Sequence, residues 1–147
     1  LARMTAWLAP HFRLEELTVT QVRQFSNVPP PEIEARLANT ALKMEAVRDI
    51  LGAKPIIVTS GYRSPLVNEQ VGGSATSAHM LGFACDFLCP GFGTPLDVCR
   101  ALVASALVFD QIIEEGTWTH ISFDPRARRS VLTKNPHGAG YLPGLRA

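Results

Sequence analysis

Hydrophobic residues recur every three or four positions between Glu32 and Leu51, which is the spacing of one buried face on an α-helix. The recurring positions are Ile33, Leu37, Ala41, Met44, Val47 and Leu51. Three prolines, at 29–31, precede this pattern and Gly52 follows it, so helix start and stop signals flank it. The pattern therefore predicts one long amphipathic helix over residues 32–51.

Shorter apolar runs rich in β-branched and aromatic residues predict strands further along the chain. These runs cover 56–58, 83–88, 109–113 and 118–123. Between them, Thr94 and Pro95 form the N-cap and first-turn proline of a second helix that extends to about residue 107. Because the order contains no repeated βαβ unit, we expect an α+β fold, with a small, mostly antiparallel sheet and flanking helices.

The segment from about residue 125 onward is basic and contains several glycines and prolines. We expect it to be a surface flap and not a nucleic-acid-binding arm. The chain of 147 residues has no internal repeat and no linker-like stretch, and this length is enough for one hydrophobic core. We therefore interpret residues 1–147 as a single domain.

Composition narrows the range of partners. Hydrophobic residues make up 46% of the chain, charged residues make up 18%, and the formal net charge is +1, which gives no electrostatic reason to bind nucleic acid. No apolar stretch approaches the roughly 20 residues of a membrane span, and the first residues lack the apolar core of a signal peptide. We expect cytoplasmic synthesis, unless an export signal precedes residue 1.

Three cysteines occur, at positions 85, 89 and 99. An odd number excludes a complete disulfide framework and favours a reducing compartment. Cys85 and Cys89 would need two further ligands on the same face to hold a metal ion, and Cys99 lies in the predicted second helix. We interpret all three as small buried side chains.

The polar residues of the stretch SAHMLGFACD raise the question of a metal site. In the strand predicted there, side chains alternate between two faces, so Asp86 and Cys85 face opposite ways. The same alternation in WTHISF puts His120 on one face with Trp118. His79, Asp86 and His120 make a three-ligand set that leaves a fourth tetrahedral position free for water, as in catalytic zinc sites. By spacing alone, a structural polar trio in a metal-free domain remains an alternative.

The motifs also carry a family resemblance. The stretch TSGYRSPLVNEQVGGSATSAHMLGFACDF, followed by FDQIIEEGTWTHISF, resembles the zinc D-Ala-D-Ala carboxypeptidase family of peptidoglycan peptidases, in particular its compact phage and prophage branch. HFRLEELTVTQ and NVPPPEIEARLANTALKMEAVRDILG resemble the N-terminal half of that branch, so the likeness extends from about His11 to Asp124. It implies the Hedgehog/DD-peptidase fold and one Zn²⁺ per chain, held by His79, Asp86 and His120.

The same resemblance assigns substrate-contacting residues. Arg63, in the SGYR element, is expected to bind a carbonyl or carboxylate of the substrate, for which a guanidinium can offer two parallel hydrogen bonds. Asn68 and Trp118 are further candidates for substrate contact. Ser77 precedes His79 by two residues, so it could bind substrate or hold its own loop.

A hydrolytic zinc site needs a general base near its water, and two adjacent glutamates compete for that role. We choose Glu115 over Glu114, because counting from FDQII puts the family's acidic residue there. Other family members carry an aspartate three residues before the last histidine, and that position is Thr117 in this chain. Asp110 is interpreted as a structural carboxylate at a strand edge.

The expected function is hydrolysis of peptidoglycan stem peptides by a monomeric zinc peptidase, in an endolysin-like role at the cell wall. Both a D,D-carboxypeptidase and an endopeptidase remain open, because the shape of the loops around the cleft decides between them. The alternative from another class is a non-catalytic wall-binding or phage-structural module that retains the fold.

Overall fold

The computed structural model describes residues 6–146. The strands in chain order are β1 (Trp7–Ala9), β2 (Phe12–Arg13), β3 (Ile57–Ser60), β4 (Ala84–Leu88), β5 (Gln111–Glu114), β6 (Thr119–Ser122), β7 (Ser130–Lys134) and β8 (Tyr141–Pro143). The α-helices are α1 (Pro31–Ile50), α2 (Pro65–Gln70) and α3 (Pro95–Ala104), and a short 3-10 turn covers Glu16–Thr18.

Helix α1 lies within one residue of the prediction at each end. It begins at a proline whose fixed φ suits the first helical position, and it ends before Gly52, which has a φ of 74°. Its periodic face is buried in the main core. Thr40, on that face, donates its hydroxyl to the Gly82 carbonyl at 2.7 Å, so the helix is tied directly to the segment that leads into β4.

Six strands form the central sheet, in the order β3-β4-β6-β5-β7-β8. Every neighbouring pair is antiparallel except β5 and β7, which run parallel. The expected α+β fold with a mostly antiparallel sheet is therefore confirmed. In the register of the two central strands, Asp86 of β4 lies directly opposite His120 of β6, so the sheet itself brings two of the predicted metal ligands together.

The other face of the same strands is the core face. Cys85 and Phe87 on β4, and Ile121 on β6, are fully buried in the cluster that α1 and α3 cover. Helix α3 begins with a capping box, because the Thr94 hydroxyl accepts from the Asp97 backbone while the Asp97 carboxylate accepts from the Thr94 backbone. It stops at Ala104, about three residues earlier than expected.

The tail does not form the expected surface flap, so that prediction was wrong. Residues 130–134 pair with β5 as β7, and residues 141–143 pair with β7 as β8. Arg128 joins the tail to the start of β5, since its guanidinium donates to both carboxylate oxygens of Asp110 at 2.9 and 2.8 Å. The sequence also gave no indication of α2 or of the β1–β2 hairpin, which are short.

None of the helices within residues 6–146 is long and apolar enough to cross a membrane. The three cysteines are buried and free. Burial raises the pKa of the Cys99 thiol to about 12, and the metal-binding cluster found among the described residues includes no cysteine. Their interpretation as small packing residues agrees with these positions.

Candidate metal centre

His79, Asp86 and His120 converge at one point on the face of the sheet opposite the hydrophobic core. Asp86 and His120 come from paired positions on β4 and β6, and His79 comes from the loop before β4. One Asp86 oxygen lies 2.8 Å from Nδ1 of His120 and 3.3 Å from Nε2 of His79. All three side chains are buried, and one ligand atom from each lies within 4.8 Å of the others.

Their protonation suits a cation. Nδ1 of His79 lies 2.7 Å from the Gly61 carbonyl, which can only accept, so Nδ1 carries the proton and Nε2 directs its lone pair toward Asp86. Burial lowers the pKa of His79, which keeps the imidazole neutral. Burial opposes ionisation of Asp86, but the adjacent His120 and His79 side chains outweigh it, His120 through a hydrogen bond, and hold the pKa of that carboxyl well below its usual range.

This donor set fits Zn²⁺. Two imidazole nitrogens and one carboxylate oxygen are ligands that zinc prefers, and three protein ligands leave one tetrahedral position open. The hydrogen bond from His79 to a backbone carbonyl is the usual way of orienting a ligating histidine. Gly82, with a φ of 80° and a backbone lying against Ile33 of α1, lets the chain turn from the His79 loop into β4.

Arg63 lies beside the three ligands. Its Nη2 is 3.4 Å from the second oxygen of Asp86, and its Nε donates to the Ser60 hydroxyl at 3.1 Å. Nη1 lies 3.4 Å from the side-chain oxygen of Asn68. The guanidinium lines the cleft and retains further N–H groups that can donate hydrogen bonds to a substrate oxygen.

The loop that carries Arg63 is clamped by the N-terminal segment. Tyr62 donates its backbone N–H to the Leu17 carbonyl at 2.7 Å. The buried Asn27 side chain donates to the Thr18 and Tyr62 carbonyls, each at 2.9 Å, and accepts from the Ser64 backbone at 2.8 Å. Position 61 must be glycine, because a Cβ there would collide with the Leu17 carbonyl. No sequence pattern pointed to Asn27.

The two competing glutamates, Glu115 and Glu114, project toward opposite faces of the sheet. Glu115 lines the cleft, because it continues the face of β5 on which Ile113 pairs with His120. Partial burial raises the pKa of Glu115, while a hydrogen bond from Tyr141 and the nearby His120 act in the opposite direction. Glu114 belongs to the alternate face, and its carboxylate accepts from the Gly116 backbone at 2.6 Å.

The site lies in a cleft of about 900 Å³, and two of the three remaining predicted residues line it. Ser77 lines the cleft and also accepts from the His79 backbone at 3.2 Å. Trp118 lines it with its ring, and its Nε1 is buried without a hydrogen-bond partner among the described residues. Asn68 is only 3% exposed and does not line the cleft. Its amide donates to the Ser74 carbonyl at 2.9 Å.

The sequence reasoning missed the cleft residues that the C-terminal hairpin supplies. Lys134 and Tyr141, on β7 and β8, complete one wall, and Lys134 places its ammonium 5.9 Å from the centre of the Trp118 ring. The tail that carries them has no regular alternation, so nothing in its sequence indicated a strand. His11 and His137, which have no partner pattern in the sequence, are both exposed.

Comparisons with known proteins agree with this geometry. A family model described as Peptidase M15 matches residues 10–122, which is more than half of the chain. The chain is similar to a zinc D-Ala-D-Ala carboxypeptidase of Streptomyces albus G, with 47% identity over 77 residues that make up 52% of this chain. The matched part spans 29% of the length of that relative.

Proposed function

Because this chain belongs to the Peptidase M15 family, we propose that it is a zinc-dependent peptidase that hydrolyses stem peptides of peptidoglycan. The observation that carries the proposal is the convergence of His79, Asp86 and His120 beside Arg63 and Glu115 in one cleft. The similarity to a zinc D-Ala-D-Ala carboxypeptidase supports zinc as the ion and a D-Ala-D-Ala terminus as the substrate.

A zinc ion held by the three ligands would polarise the scissile carbonyl and acidify water at its open position. Glu115 would take a proton from the attacking water as the water oxygen bonds to the carbonyl carbon, and would deliver that proton to the amine as the C–N bond breaks. Its raised pKa makes the carboxylate a stronger proton acceptor, which suits removal of a proton from water.

Arg63 binds an oxygen of the substrate in this proposal. Its contacts with Ser60 and Asn68 fix the plane of the guanidinium before substrate arrives, which reduces the entropy lost on binding. We assign Asn68 to positioning Arg63, since its side chain lies behind the cleft wall. Trp118 and Ser77 line the cleft, where they can contact the bound peptide.

The test is incubation of the zinc-loaded protein with intact muropeptides, followed by mass analysis of the products. We expect loss of a terminal alanine, which means D,D-carboxypeptidase activity. Cleavage within the stem or the cross-link would mean an endopeptidase instead, and unchanged muropeptides would contradict the enzyme proposal and favour a wall-binding module. The phage-type role, the monomeric state and the route to the cell wall stay predictions.

Two matched variants test the base. Glu115→Gln should lower kcat by at least about 100-fold, because general base catalysis contributes two to four orders of magnitude. Glu114→Gln removes the neighbouring carboxylate on the opposite face and should leave kcat within about twofold. Equal losses in the two variants, or a larger loss for Glu114→Gln, would contradict the assignment. Zinc analysis should give one ion per chain in both.

A further inference from the structure

We propose that Tyr141, on the C-terminal hairpin of β7 and β8, is a positioning residue for Glu115. Its hydroxyl holds the Glu115 carboxylate in the orientation that faces the metal ligands. This inference rests on the function proposed above, because positioning matters only if Glu115 acts on a substrate. Tyr141 lies beyond residues 10–122, so the family match gives it no role.

The register of the sheet sets the two residues in one row. Glu114 pairs with Thr133 of β7, so the next residue, Glu115, lies beside Lys134. Lys134 in turn pairs with Tyr141 of β8. On its other side, Glu115 donates its backbone N–H to the Trp118 carbonyl at 3.0 Å. The row of neighbouring residues therefore crosses four chain segments at the mouth of the cleft, in the order Trp118, Glu115, Lys134 and Tyr141.

All members of this row project to the same face, because side chains at equivalent positions of paired strands share a face. Trp118, Glu115, Lys134 and Tyr141 all line the cleft. The backbones of Glu115 and Tyr141 are two strand spacings apart, about 10 Å, and two long side chains that lean toward each other span this distance. The Tyr141 hydroxyl donates to the Glu115 carboxylate.

Glu115 needs such a partner, because it lies just past the last residue of β5 and is followed by Gly116, whose φ is 91°. A glutamate at a strand end has several rotamers available, and Lys134 offers a competing ionic partner on the same row. The tyrosine hydroxyl selects among these orientations. When the carboxylate is already held in one rotamer, it loses no conformational entropy on reaching the reactive geometry. The chemical step therefore becomes faster, while substrate binding is unchanged.

The kinetic test uses Tyr141→Phe, which removes only the hydroxyl. We expect kcat to fall about tenfold, as for loss of a hydrogen bond to a charged group, with KM changed by less than about twofold. In a Glu115→Gln background, the same substitution should have no further effect on kcat. A change in KM alone, or an undiminished loss in the Glu115→Gln background, would overturn the proposal.

Thr133→Val is the matched control on the same hairpin. Thr133 is buried and donates its hydroxyl to the Gly144 carbonyl at 2.7 Å, so its loss should lower the unfolding midpoint while kcat stays within about twofold. Tyr141→Phe should instead lower kcat and leave the unfolding midpoint unchanged. If both variants lower kcat and the midpoint together, Tyr141 has only a structural role and the proposal fails.

A second measurement needs no turnover. The chain has two tyrosines, so their ¹³Cζ resonances can be assigned from the Tyr141→Phe spectrum. Glu115→Gln should shift the Tyr141 resonance and leave Tyr62 in place, while Glu114→Gln should shift neither. An unmoved Tyr141 resonance would overturn the positioning role. A shifted resonance in a protein that cleaves no muropeptide would support the contact and contradict only the proposed function.

Discussion

Replacing Asn27 with alanine should destabilise the protein and loosen the metal centre at the same time. The Asn27 side chain is buried and makes three hydrogen bonds, two as donor and one as acceptor. Its partners include the Tyr62 carbonyl and the Ser64 backbone, which flank Arg63. The same loop supplies the Gly61 carbonyl that orients His79, so the substitution affects both the substrate-binding and metal-binding sides of the cleft.

The magnitude follows from those bonds. Each intramolecular hydrogen bond contributes about 1 kcal/mol net, so three bonds give about 3 kcal/mol. Alanine leaves two carbonyls and one N–H without their partner in a buried position, where an unmatched polar group is itself costly. We therefore expect the free energy of unfolding to fall by about 3 kcal/mol, which is a large part of the stability of a domain of this size.

The assay is urea unfolding in the presence of a chelator, so that zinc binding to the native state does not mask the loss. The matched control is Asn135→Ala, since Asn135 makes two side-chain hydrogen bonds in an exposed turn, at 3.0 and 3.3 Å. Asn135→Ala should lower the free energy of unfolding by less than about 0.5 kcal/mol. An equal loss in both variants would refute the reasoning, and so would unchanged zinc affinity in Asn27→Ala.

Two further predictions concern the supports of the sheet. Hydrogen bonds from Arg128 lower the pKa of the buried Asp110 carboxyl, so its stabilisation is fully present above the unfolded value of roughly 3.9. Asp110→Asn should therefore lower the free energy of unfolding by about 1.5 kcal/mol at pH 7. The difference in that free energy between the variant and the parent protein should become smaller as the pH falls below about 4. A difference that stays constant down to about pH 2 would contradict this. Thr94→Ala breaks the capping box of α3 and should lower the free energy of unfolding by about 1 kcal/mol. The loss should be measured as a lower urea midpoint with an unchanged m-value. An unchanged midpoint would show that the cap contributes nothing to stability.

The elements with strong periodicity were predictable from the sequence. The α1 pattern is long enough for many positions to agree, so chance alternation does not confuse it. The alternation in β4 and β6 also predicted that Asp86 and His120 would face away from Cys85 and Ile121, and the register confirms this. These features are local, since each depends on residues close together in the chain.

The features that sequence reasoning missed depend on distant partners. Strand β7 forms by pairing with β5, and it lies in a basic tail whose glycines and prolines we interpreted as those of a surface flap. Asn27 is significant only because the chain folds back onto the loop around Arg63. The choice of Glu115 over Glu114 as the base stays a prediction, since the sequence alone does not define the end of β5, where the two side chains take opposite faces.

The parallel pairing of β5 and β7 also constrains how the sheet is completed during folding. The first pair in their register, Gln111 with Ser130, joins residues 19 apart, and until it forms β5 is an edge strand with unpaired backbone N–H and C=O groups. A chain truncated before Ser130 would keep that edge, so we expect such a fragment to self-associate through β5. In the complete sheet, β7 pairs with β5 and removes that edge.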